Sequence, residues 1–237
     1  MKRAARIAGA AMLAAAVAGC GNQPGATTGR QATGAALDGL RQAVGLAEPA
    51  ERVRPTRAQL EAIGAPVLWA TLAVDPVGGG FVGLVENRGE VSFVSADRQT
   101  LRLRGGQLAA TRGLGTDLVG YRSDPAADPA VRPRPPGDWP DRVQRIYRFS
   151  DGMGGEFLRA ALCRPRIVGP AEVEIFGRPQ ALTEIAEPCR TPFHAFDNRY
   201  WVDPDSGYVW RSVQWVGPGV GSITLEVVVP AALASAP

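Results

Sequence analysis

The feature that most restricts what this chain can fold into is the spacing of its apolar residues. In residues 99–104 apolar and basic side chains alternate, with Leu101 and Leu103 facing one way and Arg102 and Arg104 the other. A period of two belongs to a strand with one wet face, not to a helix. Residues 67–74 form an apolar run, and strands at 81–86 and 91–95 flank Asn87, Arg88 and Gly89, a tight-turn sequence. The pattern resumes at 143–149, 156–168, 172–176, 182–187, 199–202, 208–215 and 222–229, with a hairpin turn from Asp203 to Gly207 (DPDSG). The expected fold is mainly β: an antiparallel meander forming a sandwich or a partly open barrel.

One or two short helices precede the strands. Residues 34–46 place Leu37, Leu40, Val44 and Leu46 on one helical face. Thr56 and Gln59 fit a capping box, Leu60 and Ile63 supply an apolar edge, and Gly64 and Pro66 end the helix. Residues 124–141 are rich in proline and cannot be a central strand. They are expected to form a long loop dividing two β-rich halves. No fixed-period repeat is visible.

The amino end carries export chemistry. Lys2, Arg3 and Arg6 are followed by an apolar stretch, residues 7–18, and then by Val17-Ala18-Gly19-Cys20. The stretch is too short to span a bilayer and has the length of a signal-peptide core. Small residues before Cys20 match a lipobox, in which the thiol accepts the lipid. The expected organisation is a signal peptide at 1–19, a lipidated tether at 20–33, a single β-rich domain at 34–230 and a tail at 231–237. Each buried CH₂ contributes about 0.8 kcal/mol, so two or more acyl chains such as palmitate hold a protein at a membrane durably. Gly21 stands where an Asp would favour the inner membrane of a Gram-negative cell, which points to the outer membrane. Removal of residues 1–19 takes three of 26 basic residues and leaves 23 of each sign. A neutral chain offers no electrostatic case for nucleic acid.

Signals for catalysis are few. Lys2 is the sole lysine, so no P-loop is possible, and no G-x-S-x-G elbow is present. His194 could pair with Asp197, but a lone imidazole is more often a surface or hydrogen-bonded group. Gly113-Leu114-Gly115 has Leu118 where a dinucleotide fingerprint needs glycine, so it reads as tight turns. Asp203 and Asp205 suit a turn better than a calcium loop. Neither a cofactor nor a metal is expected, and the chain is read as a non-enzyme. A carboxylate pair working on a glycan is the alternative. Beyond Cys20, Cys163 and Cys189 remain; a disulfide is favoured over free thiols or a metal pair, since no further ligands support metal. The unusual concentration is aromatic: Tyr200, Trp201, Tyr208, Trp210 and Trp215 surround one hairpin. Strict alternation would put Trp210 and Trp215 on opposite faces. Candidate contacts to a ligand or partner are Trp201, Tyr208, Trp210, Arg211, Gln214 and Trp215, although a buried aromatic core is the commoner use of such residues.

Residues 106–118 (GQLAATRGLGTDL), the pair Cys163 and Cys189, and residues 198–218 (NRYWVDPDSGYVWRSVQWVGP) resemble the YjbF/GfcB lipoproteins. The resemblance covers about residues 56–230 and agrees with the lipobox. It implies an outer-membrane lipoprotein whose domain faces the periplasm and serves exopolysaccharide or capsule export. The implied partners are an outer-membrane β-barrel export protein and, as a further candidate, the polysaccharide. It carries over no catalytic residue. The proline-rich segment 124–141 departs from the family pattern.

Overall fold

The computed structural model describes residues 54–124, 128–129 and 132–231. The expected signal peptide at 1–19, Cys20, the expected tether and the helix expected at 34–46 lie outside these residues, as does the expected tail beyond Ala231.

Arg57–Glu61 forms α1, the one α-helix among the described residues. The capping box is present: the Thr56 side chain accepts from the Gln59 backbone, and Gln59 Oε1 accepts from Thr56 N at 2.8 Å. Leu60 is buried while Ile63 is exposed, so the expected apolar edge reduces to one residue.

Thirteen strands follow among the described residues. The first five are β1 (Val67–Leu72), β2 (Asp75–Asn87), β3 (Glu90–Ser95), β4 (Thr100–Arg104) and β5 (Gln107–Arg112). Next come β6 (Leu118–Ser123), β7 (Val143–Ser150), β8 (Glu156–Cys163) and β9 (Arg166–Ile175). The last four are β10 (Arg178–Arg190), β11 (Ala195–Val202), β12 (Val209–Gly217) and β13 (Gly221–Val229). All pairings are antiparallel, in the order β5-β4-β3-β2-β1-β13-β12-β11-β10-β8-β7-β6. Two meanders therefore meet where the first strand pairs with the last, Val67 opposite Val229. β9 lies off this path and pairs with β10 as a hairpin. Beyond the tip of that hairpin, Phe176 meets Trp69 of β1 edge-on at 5.3 Å.

The sheet curls until its edges β5 and β6 approach each other, nearly closing a barrel. Those edges are consecutive in the chain. Asp117 in the turn between them accepts from Thr111 Oγ1 at 3.1 Å, Gly113 N at 2.9 Å and Leu114 N at 3.1 Å. Leu118 N donates to Thr111 Oγ1 at 2.9 Å. The seam is thus joined by side chains, and no backbone ladder links β5 to β6 among the described residues.

Two sequence expectations change here. No strand was expected between 105 and 142, yet β5 and β6 lie there, with Gly113-Leu114-Gly115 in the turn between them as read; β5 is buried along nearly its whole length, which hides its alternation. Residues 124–141 do not divide two halves, because β6 before them pairs with β7 after them. The loop is an excursion within one hairpin, with a 3-10 turn at Pro136–Asp138.

Strand alternation explains the core. In β7, Val143, Arg145, Tyr147 and Phe149 are buried and the residues between them are not. Tyr147 and Phe149 meet Trp215 edge-on at 5.6 and 5.2 Å, and Trp215 stacks on Phe196 at 4.3 Å. Such pairs add roughly 0.5–1.5 kcal/mol each beyond the area they bury.

Candidate functional site

The site is built on β12, where pairing is irregular. Trp201 of β11 faces Arg211, but Val202 faces Val209, which leaves Trp210 as an extra residue with no partner in β11. This is a β-bulge, a device that re-aims side chains. Tyr208 and Trp210 meet edge-on at 5.0 Å and border a cleft of about 730 Å³.

The walls of the cleft come from distant parts of the chain. β1 and β13 supply Leu68, Leu225 and Val227; β3 and β4 supply Val91, Phe93 and Leu103. The β2–β3 turn places Arg88 at the mouth, and the β4–β5 turn places Arg104 beside Gly105 and Gly106. Arg132 and Pro133 close one side, and Glu86 is the sole carboxylate of the lining. A side chain at Gly106 would have to displace Val209: a Cβ would lie 2.2 Å from Val209 Cγ2. Its carbonyl accepts from Gln214 Nε2 at 2.8 Å, so the β4–β5 turn is clamped to β12 at the foot of the cleft.

Charges around the mouth are unequally engaged. Arg104 pairs with Glu90, and Arg102 lies 3.7 Å from the same carboxylate. Arg211 borders the cleft, but its guanidinium sits over the Trp201 ring at 5.0 Å and 3.9 Å from Glu226. Arg88 and Arg132 make no ion pair among the described residues. Burial raises the Tyr208 hydroxyl to about 12, which keeps it a neutral donor at the mouth.

A fully buried polar network anchors the loop that carries Arg132. Arg145 donates from Nε and Nη2 to the two oxygens of Asp128, at 2.8 and 2.9 Å, and from Nη1 to Glu187 Oε2 at 2.6 Å. Glu187 Oε2 also accepts from Asn198 Nδ2 at 2.8 Å. The Tyr200 hydroxyl lies 3.2 Å from that oxygen and 3.0 Å from Gln107 Oε1. Burial works against the charge on Arg145, but Glu187, Tyr200, Tyr147 and the Asp128 bonds outweigh it, and its pKa stands well above the usual value. Trp139, further along the same loop, packs on Tyr200 at 5.5 Å.

The residues proposed from sequence separate into groups. Tyr208 and Trp210 come together at the cleft, and Arg211 borders it. Trp201 packs on the outer face with Val173, Ile175 and Leu182. Gln214 is buried, donating to Gly106 O and accepting from Leu108 N at 2.9 Å. Trp215 is buried in the core. Gln214, Trp215 and Val216 are all buried in succession, so strict alternation fails in β12. Arg88, Arg132 and Val91 were not singled out; the only sequence signal was that Arg88 sits in a turn. Asp128 carried no local signal, because its partner Arg145 lies 17 residues on; Arg145 falls in register with the apolar residues Val143, Tyr147 and Phe149 of β7, and that register is its one sign of a buried role.

His194 hydrogen-bonds Thr191 Oγ1 through Nδ1 at 3.2 Å, and its ring packs on Trp215 at 4.9 Å. The sequence favoured a hydrogen-bonded imidazole over a pair with Asp197, and the hydrogen-bonded form is the one observed. Cys163 and Cys189 form a disulfide between facing residues of β8 and β10. Among the described residues, the one group of metal-type donors is Cys163, Glu187 and Cys189, and its two sulfurs are bonded to each other.

No curated protein matches the chain. A solved structure similar to it is that of the hypothetical lipoprotein YmcC from Escherichia coli (K12). The two share 19% identity with a TM-score of 0.65, over 87% of this chain and 98% of that one, which shows a common fold. The family model described as "Group 4 capsule polysaccharide lipoprotein gfcB, YjbF" matches residues 15–228, a span that begins ahead of Cys20 and ends within β13. With most of its length inside that model, the chain belongs to the family of group 4 capsule polysaccharide lipoproteins.

Proposed function

We propose that this protein is an outer-membrane lipoprotein, anchored through Cys20, that assists export of an exopolysaccharide or capsule without catalysing a reaction. The family match carries this reading. The sequence Val17-Ala18-Gly19-Cys20 supports the anchor, and Gly21 in place of Asp supports the outer membrane. Residues 1–19 are the export signal, and the tether after Cys20 lets the domain reach a partner from the membrane surface. The protein acts by binding a β-barrel export protein, with Tyr208 and Trp210 at the point of contact, by binding the polymer on another face of the domain, or by both.

Two measurements test this. Fatty-acid labelling of cells is expected to mark the wild-type chain and not Cys20→Ser; label on the variant refutes the anchor. Deletion of the gene is expected to reduce surface polymer severalfold, with restoration by the wild type and weaker restoration by Trp210→Ala. Unchanged polymer in the deletion strain refutes the export role.

A further inference from the structure

The interior of the cleft has a chemistry that the export role does not require. Its floor is hydrocarbon: Leu68, Phe93, Leu103, Leu225 and Val227 are core residues that also line the space. The one hydroxyl among the floor residues, on Ser212, already accepts from Gln214 Nε2 at 2.9 Å. A sugar ring placed there would lose water from its hydroxyls and find almost no partner, a cost that selects against it. Water fares little better, since a site needs two to four polar partners per molecule to hold it. At about 730 Å³ the space falls within the usual range of small-molecule sites, roughly 300–1,000 Å³.

The mouth differs from the floor. Arg88 and Arg132, with no ion pair among the described residues, flank it, and Glu86 stands on the same rim. Tyr208 and Trp210 sit at the boundary, where an apolar ring body with a polar edge suits the passage from hydrocarbon to head group. The order from depth to surface is therefore aliphatic, amphipathic, then cationic with one carboxylate.

We propose that the cleft binds the acyl chain of a phospholipid, with the lipid phosphate at Arg88 and Arg132 and a head-group ammonium at Glu86. The chain lies along Leu103, Leu225 and Val227, and the aromatic pair covers the glycerol region. This is a binding activity toward single lipid molecules, separate from membrane anchoring through Cys20, and it stands whether or not the protein serves polymer export.

The test uses the full-length chain with Cys20→Ser, so that no acyl group of its own competes. Palmitoyl lysophosphatidylethanolamine, hexadecanol and an oligogalacturonide are titrated separately by calorimetry. The lysophospholipid is expected to bind at one saturable site, hexadecanol more weakly, and the oligogalacturonide not at all. Arg88→Asn, which tolerates the left-handed backbone of that turn (φ 52°), combined with Arg132→Gln should weaken lysophospholipid binding about tenfold and leave hexadecanol binding unchanged. Both substitutions are on the exposed rim, so folding is preserved, and an unchanged melting temperature verifies it. Three results overturn the proposal: no lysophospholipid binding, equal binding by the double variant, or competition by the oligogalacturonide at the same site. Binding by Cys20→Ser but not by the lipidated wild type would instead make the protein's own acyl group the occupant, and also overturns it.

Discussion

Arg145 carries a positive charge with no exposed surface, and that charge is tolerated only because two carboxylates meet it. A buried ion pair is weak evidence of stability in itself, but removing one partner strands the other, at a cost of about 3–5 kcal/mol. Asp128→Ala is therefore expected to lower unfolding free energy by that amount in urea. It should also displace the segment carrying Arg132 and weaken ligand binding at the cleft mouth. A variant as stable as wild type would show that Arg145 is paired well enough by Glu187 alone. The tyrosines make a second prediction. Burial raises Tyr147 and Tyr208 to about 12 from an ordinary 10.0, and Tyr121 and Tyr200 are raised as well. These are all four tyrosines of the chain. The folded state holds their protons more tightly than the unfolded state, so this contribution is complete below pH 10 and is lost as pH climbs from 10 through 12. Tyrosinate absorbance should rise late and together with loss of the near-ultraviolet dichroism. Titration near pH 10 in a still folded protein would contradict the burial.

Within single elements, β12 shows how far the sequence could be read. Its aromatic richness and the Asp203–Gly207 turn are visible in the chain, and so is the alternation of β4 and β7. The bulge at Trp210 is not, because it depends on which residue of β11 stands opposite. Nor is the burial of β5, which loses its alternation because one side packs against β12 through Gly106 and Gln214. These differences predict unequal effects for the two tryptophans. Trp215→Ala removes a ring stacked on Phe196 and should cost roughly 3–5 kcal/mol. Trp210→Ala, at the edge of the cleft, should cost well under half of that. Denaturant midpoints for the pair decide the matter, and equal losses would place both rings in the core. Gly106→Ala should be destabilising by about 1–3 kcal/mol, since the added methyl must push Val209 aside. A neutral Gly106→Ala would mean that the β4–β5 turn is free to move.

The molecule as a whole depends on one thin junction. Along the sheet, β10 passes to β8 through only two facing pairs, Cys189 with Cys163 and Arg190 with Leu162. The disulfide sits on that junction and closes a loop with a sequence separation of 26. The chain-entropy model assigns such a crosslink about 3.5 kcal/mol. Reduction, or Cys163→Ser with Cys189→Ser, should lower the melting temperature by several degrees, and the β6–β8 ribbon should become the first region to exchange its amide protons. Uniform exchange across the sheet would refute the idea of a local clamp. Cysteine count and compartment made the pair legible from sequence. Its position at the narrowest pairing did not follow from sequence, because strand order is a long-range property that local periodicity does not encode.

The pairing of β1 with β13 sets the timing of folding. A ribosome delivers Val67 long before Val229, yet the two must lie side by side. Hairpins such as β2–β3 and β11–β12 can form while synthesis continues, but the middle of the sheet stays unzipped until the final strand arrives. Closing so long a loop puts the protein among slow folders, in the millisecond-to-second range, with exposed strand edges in the interval. A message cut short before codon 221 would leave both meanders with a bare edge, at β1 and at β12. Its product should be degraded or aggregate instead of accumulating as a partly working domain, so the last nine residues of the sheet act as a proof of completeness for all that precede them.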